Sequence, residues 1–168
     1  MINMGKVRTQ VPKILPSSLH KTGGWKAHWS RVERWYGRLM GASDKDDILD
    51  FSFAFFQSCA MLPDWLTHSK AVCQDDLASF LRAHPELGVC RDVSNVTKHY
   101  TLTSASQTHE VSILREYCPP NSPYFRGGYC DGNARFLIVA DDKNYEVREL
   151  AHTCLELWRG YLKSVNTT

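Results

Sequence analysis

Long apolar runs are missing from this chain. Nowhere does it approach the ~20 consecutive apolar residues that a membrane-spanning helix requires, and residues 1–22 lack the unbroken apolar stretch of a secretory signal. These absences point to a soluble protein with no membrane association and a cytoplasmic location. A reducing compartment also suits the cysteines: the six of them, Cys59, Cys73, Cys90, Cys118, Cys130 and Cys154, form no CxxC pair and no other tight ligand spacing. An ordinary structural zinc site is therefore not expected. The signatures of common catalytic machinery are absent as well. Gly127-Gly128 with Gly132 has no Lys-Ser or Lys-Thr in register for a phosphate loop, His109-Glu110 lacks the second His of a metalloprotease helix, and there is no Gly-x-Ser-x-Gly elbow. No metal and no cofactor is expected.

Acidic residues are missing from one region only. Between Met1 and Val32 there is no Asp or Glu, while Lys6, Arg8, Lys13, Lys21, Lys26 and Arg31 all fall there. A one-signed segment of this kind can follow a phosphate backbone or an acidic protein surface, or it can be a solvated tail. Pro12, Pro16, Ser17 and Ser18, followed by Gly23-Gly24, mark residues 1–22 as an extended arm outside the core. The arm is expected to become ordered only against a partner, RNA or protein.

What remains, residues 23–168, fits one domain. With 43% hydrophobic and 23% charged residues, the chain can bury a core without help from disulfides. Its periodicity is mainly helical. Trp25, Trp29, Val32, Tyr36 and Leu39 recur at helical spacing, with His28, Arg31, Arg34 and Arg38 over the rest of that helix and Gly41 at its end. Ser43 with Asp46 resembles a capping box that starts a second helix, apolar on most sides from Ile48 to Leu62 and broken by Pro63. A third helix is expected from about Ser69 to Ala83, with Val72, Cys73, Leu77, Phe80 and Leu81 as its buried stripe. A fourth runs from Pro85 or Glu86 to about Tyr100, and a last one from about Tyr145 to Val165. Between these two the period changes: residues 108–117 and 135–140 read as strands, with Asp141 to Asn144 as a turn. The expected architecture is thus a mainly α, four- or five-helix bundle with a small antiparallel β-insertion at about residues 103–144.

The fourth helix carries the candidate chemistry. At 100° per residue, Val89, Val93, Val96 and Tyr100 fall within a band of roughly 60°, the core face. Asp92, Asn95 and His99 form a second band beside it, and Arg91 and Lys98 lie farther round. Asp92 and His99 are about 10 Å apart by helix rise, so Asn95 is placed to reach toward either. A half-buried His near a carboxylate and an amide is a candidate acid or base, because small environmental shifts set its charge. The same residues also suit a hydrogen-bonded network that fixes the helix against a neighbour or a dimer mate.

The run Cys90-Arg91-Asp92-Val93-Ser94-Asn95-Val96-Thr97-Lys98-His99 resembles the polar motif helix of the HEPN superfamily. It is similar also to uncharacterised bacterial helical proteins with an Asp-x-x-Asn-x-x-Lys-His run. The resemblance implies a helical bundle that dimerises and cleaves RNA without a metal, in a bacterial defence or toxin-antitoxin setting. It makes Arg91 the motif Arg, Asp92 its polar neighbour and His99 the motif His, with seven residues between Arg91 and His99, a longer interval than is usual in that superfamily. In that reading Arg91, Asp92, Asn95 and His99 are catalytic, and Lys98 joins Lys6, Arg8, Lys13, Lys21, Lys26 and Arg31 in binding RNA or a partner. Two other readings stay open: a non-catalytic interaction or assembly subunit that docks another protein through its helical face and basic arm, and a nucleic-acid-binding module using residues 1–38 without cleavage.

Overall fold

The computed structural model describes residues 23–98, 111–116 and 135–165, so the basic arm and His99 lie outside the described residues. Among the described residues the chain forms five helices, α1 (Gly24–Gly41), α2 (Lys45–His68), α3 (Gln74–Ala83), α4 (Pro85–Lys98) and α5 (Val147–Val165). Three strands, β1 (Val111–Glu116), β2 (Arg135–Ala140) and β3 (Lys143–Glu146), precede α5 in an antiparallel sheet of order β1-β2-β3. The fold is therefore mainly helical with a small sheet before the last helix.

The apolar α2 is central, packed by α1, α4 and α5. Its Phe55, Phe56, Leu62 and Leu66 are fully buried, and the rings of Phe55 and Phe56 meet edge to face at 5.3 Å. Pro63 does not end this helix, which continues to His68. An interior proline costs about 3 kcal/mol, but the continuation buries Leu66 completely and Trp65 in part. Each such side chain returns roughly 1.5–3 kcal/mol, so burial wins. The α2 N-cap is Asp44 rather than Ser43: Asp44 Oδ1 accepts from the backbone N–H groups of Asp46 (2.8 Å) and Asp47 (3.2 Å). These bonds hold the Asp44 carboxyl below its ordinary pKa.

The extension of α2 shortens the next helix. Lys70 turns the chain with φ 52°, and α3 starts only at Gln74, where Asp75 and Asp76 occupy the first turn. Cys73 becomes the exposed N-cap residue instead of part of a buried stripe, and only Leu77 of α3 is fully buried. The sheet is larger by one strand than the sequence suggests. The turn after β2 is Asp141-Asp142 alone, with Asp141 at φ 51°, and Ala140 pairs with Lys143 to begin β3. Accordingly α5 begins at Val147, not at Tyr145, with Glu146 Oε2 accepting from the N–H groups of Arg148 and Glu149. Phe136, Ile138 and Ala140 point inward in the alternation expected of a half-buried strand. The sheet lies on the helices, with β1 against α4 and β2 and β3 against α5.

His28 departs most from its expected place. It is 1% exposed, stacked on Trp65 at 4.8 Å, with Nε2 2.7 Å from the Ser58 carbonyl oxygen. Helical geometry explains this: His28 stands three residues after Trp25 and four before Val32, on the apolar stripe itself. Arg148 completes the frame by donating from Nε to the Leu39 carbonyl (3.3 Å) and from its terminal nitrogen to the Ala42 carbonyl, satisfying the C-terminal end of α1 from α5.

Candidate functional site

Helix α4 opens on Pro85, whose fixed φ and missing N–H suit a first helical position. Of its expected core face, Val89 and Val93 are buried, Val96 is half-buried and Tyr100 lies outside the described residues; Leu87 is buried as well, so the buried arc is wider than the valine band. Asp92 is 5% and Ser94 0% exposed, while Asn95 is half-buried and Arg91 exposed. Helices α2, α3 and α5 and strand β1 all pack on α4. The sequence places Asp92 at the edge of the buried face; the structure carries it inside.

Asp92 and Arg91 form an ion pair, Oδ1 to Nε 3.7 Å, with their side chains 6% and 49% exposed. A buried carboxylate is costly unless countered, and here the countercharge sits on a guanidinium that reaches solvent. Arg91 stands on the lip of a cleft of about 480 Å³. Arg82 of α3 shares that lip, Pro63, Leu81 and Leu87 form apolar walls, and Cys59, Cys90 and Trp158 line the cleft more deeply. Sequence reading left Arg82 and Trp158 out of the site: Trp158 reads there as part of the last helix's apolar stripe, and α3 and α5 bring both residues to α4 only in the fold.

The three buried thiols belong to different helices, Cys59 to α2, Cys90 to α4 and Cys154 to α5. Cys90 Sγ donates to the Phe56 carbonyl and Cys154 Sγ to the Glu86 carbonyl, each at 3.6 Å. The Cys154 contact alone pulls the Cys90 thiol down, but its bond with Cys59, burial and nearby charge together push it well above the ordinary value. Its bond with Cys90 and then burial push Cys154 well up, and burial raises Cys59. Such protonated thiols are packing groups rather than nucleophiles. Among the described residues no group of three or more His, Cys, Asp or Glu side chains is placed to hold a metal ion, and no helix is long and apolar enough to cross a membrane.

Of the remaining sequence candidates, Lys98 is the last residue of α4 and His99 lies outside the described residues. Lys26 is exposed and Arg31 half-buried, both on α1, and Lys6, Arg8, Lys13 and Lys21 lie outside the described residues. The structure thus joins Arg91 to Asp92 at the cleft and leaves the two α1 cations on another helix. No protein-family model, curated protein or solved structure matches the chain. Its functional reading rests on these residues.

Proposed function

We propose that the chain is a HEPN-like, metal-independent ribonuclease of the toxin-effector type, acting at the α4 cleft. One observation carries the reading: the buried Asp92 carboxylate beside the exposed Arg91 guanidinium on the lip of the cleft. A guanidinium positioned this way suits the planar, bidentate recognition of a phosphate. In the reaction, His99 accepts the proton of a ribose 2′-hydroxyl, the freed oxygen attacks phosphorus and the P–O5′ bond breaks. The leaving 5′-oxygen takes up a proton, giving a 2′,3′-cyclic phosphate and a 5′-hydroxyl end. Arg91, with Lys98, balances the charge that grows on the phosphoryl oxygens, while Asp92 and Asn95 orient the motif side chains.

The test is cleavage of a mixed-sequence RNA without added metal. His99→Ala is expected to lower the rate by about 10²–10⁴-fold with an unchanged unfolding transition, and Arg91→Ala by about 10²–10³-fold with a lower unfolding transition as well, because it removes a countercharge of the buried Asp92 carboxylate. Wild-type protein that leaves the RNA intact, or variants that cleave at the wild-type rate, would overturn the reading. A second reading, a non-catalytic assembly subunit, is favoured by the exposed apolar side chains Met61 on α2 and Leu114 on β1. Under it His99→Ala changes stability alone.

A further inference from the structure

A second depression of about 560 Å³ lies between α1 and α5. Trp25 and Trp29, one helical turn apart on α1, supply two half-buried indoles. Lys26 of α1 and Arg159 and Lys163 of α5, themselves one turn apart, supply three cations, and among the described residues no acidic side chain lines the groove. Glu33 stands at its border, its carboxylate 3.4 Å from the Arg159 guanidinium, which also pairs with Glu156. Two carboxylates thus hold Arg159, and Lys26 and Lys163 are exposed at the groove. The Lys26 ammonium sits 5.7 Å from the Trp25 ring centre. The first turn of α1 contains no acidic residue, and the acid-free segment of residues 1–22 leads directly into it.

Two indoles spaced along a cationic groove are the arrangement that holds single-stranded nucleic acid: flat rings accept successive bases by stacking while ammonium groups follow the phosphates. A duplex hides its bases and would use only the charges, and an acidic protein surface would use only the lysines. We propose that the α1–α5 groove binds single-stranded RNA, stacking bases on Trp25 and Trp29 and pairing phosphates with Lys26 and Lys163. The proposal stands apart from cleavage at α4, since none of its residues belongs to that site.

The experiment is fluorescence anisotropy of the full chain with a labelled 2′-O-methyl oligouridine of about twelve nucleotides, which cannot be cleaved through a 2′-hydroxyl. The wild-type chain is expected to bind it, with affinity falling as salt rises. Trp25→Ala with Trp29→Ala should weaken binding roughly tenfold or more, and Trp25→Phe should restore part of the loss relative to Trp25→Ala. Because both indoles pack on the core, the second pair of variants is Lys26→Glu and Lys163→Glu, at exposed positions that leave the fold intact. Each should weaken binding and lower the slope of log affinity against log salt by about 0.7. Failure of the wild type to bind, equal affinity for duplex RNA, or equal displacement by polyglutamate with no effect of removing the indoles would overturn the proposal. RNA cleavage by α4 in the absence of such binding would separate its failure from that of the ribonuclease reading.

Discussion

The two depressions share a helix and differ in what lies beneath them. Trp158 and Arg159 are consecutive on α5 and so point about 100° apart: the first lines the α4 cleft and the second the α1–α5 groove. The α4 cleft rests on the core itself, with Trp158 and Cys90 each 1% exposed and Phe80 packed on Trp158 at 5.2 Å. The α1–α5 groove is built on half-buried indoles and solvent-facing cations. Substitutions deep in the first therefore cost stability, whereas those at the exposed lysines of the second separate binding from folding.

The sharpest way to break this contrast is Trp158→Ala. Removing a fully buried indole is expected to cost about 3–5 kcal/mol, read as a lower urea midpoint. A cost under ~1 kcal/mol would show that the cleft is not part of the core. Next is Arg148→Ala, which strips the Leu39 and Ala42 carbonyls at the end of α1 of their partner from α5. A loss of roughly 1–3 kcal/mol is expected, again from urea unfolding, and it should loosen the α1–α5 groove before the α4 cleft.

The α1–α2 contact makes a prediction about pH. Burial, the largest cause, lowers the pKa of His28 from its ordinary value of 6.5, against the bond to the Ser58 carbonyl, which raises it; Arg31 lowers it further. With Nε2–H donating to Ser58, Nδ1 is buried without a hydrogen-bond partner among the described residues, so a second proton has no acceptor there. The unfolded chain binds that proton first as pH falls. Stability from this group is thus full above pH 6.5 and declines as pH falls from 6.5 toward the lowered native value. Melting curves between neutral and mildly acidic pH should show this decline, and His28→Phe should flatten it; an unchanged slope in the variant would place the titration elsewhere. The smallest expected effect is on the stability of Lys26→Glu and Lys163→Glu, within about 0.5 kcal/mol of wild type. A larger change in the melting transition would mean that the groove's cations hold α1 to α5.

Much of the helical frame was legible in the chain because apolar spacing reports burial wherever one face of a helix meets the core. The stripe through Val147, Leu150, Ala151, Cys154, Leu157, Trp158, Tyr161, Leu162 and Val165 marks α5; six of these are buried, and Leu157, Tyr161 and Val165 are half-buried. Local signals misled where burial outweighed them. Pro63 reads as a stop, yet α2 runs on because Leu66 and Trp65 together gain more inside than the interior proline costs. His28 reads as polar, yet a carbonyl from α2 and the Trp65 ring make room for it. Asp141 to Asn144 reads as a turn, yet pairing with β2 recruits Lys143 and Asn144 into β3.

The candidate chemistry divides along the same line. By itself the sequence determined that Arg91, Asp92, Asn95, Lys98 and His99 lie on one polar helix or directly beyond it, and that the first 32 residues carry cations without acids, because composition and the 100° step need no partner segment. Only the tertiary structure decided that Asp92 and Ser94 go inside, that Arg82 joins Arg91, and that Trp25 and Trp29 meet Arg159 and Lys163, 130 or more positions along the chain. The physical reason is that a helix's own spacing specifies which residues share a face, whereas what covers that face is set by elements distant in sequence, through packing that leaves no local mark.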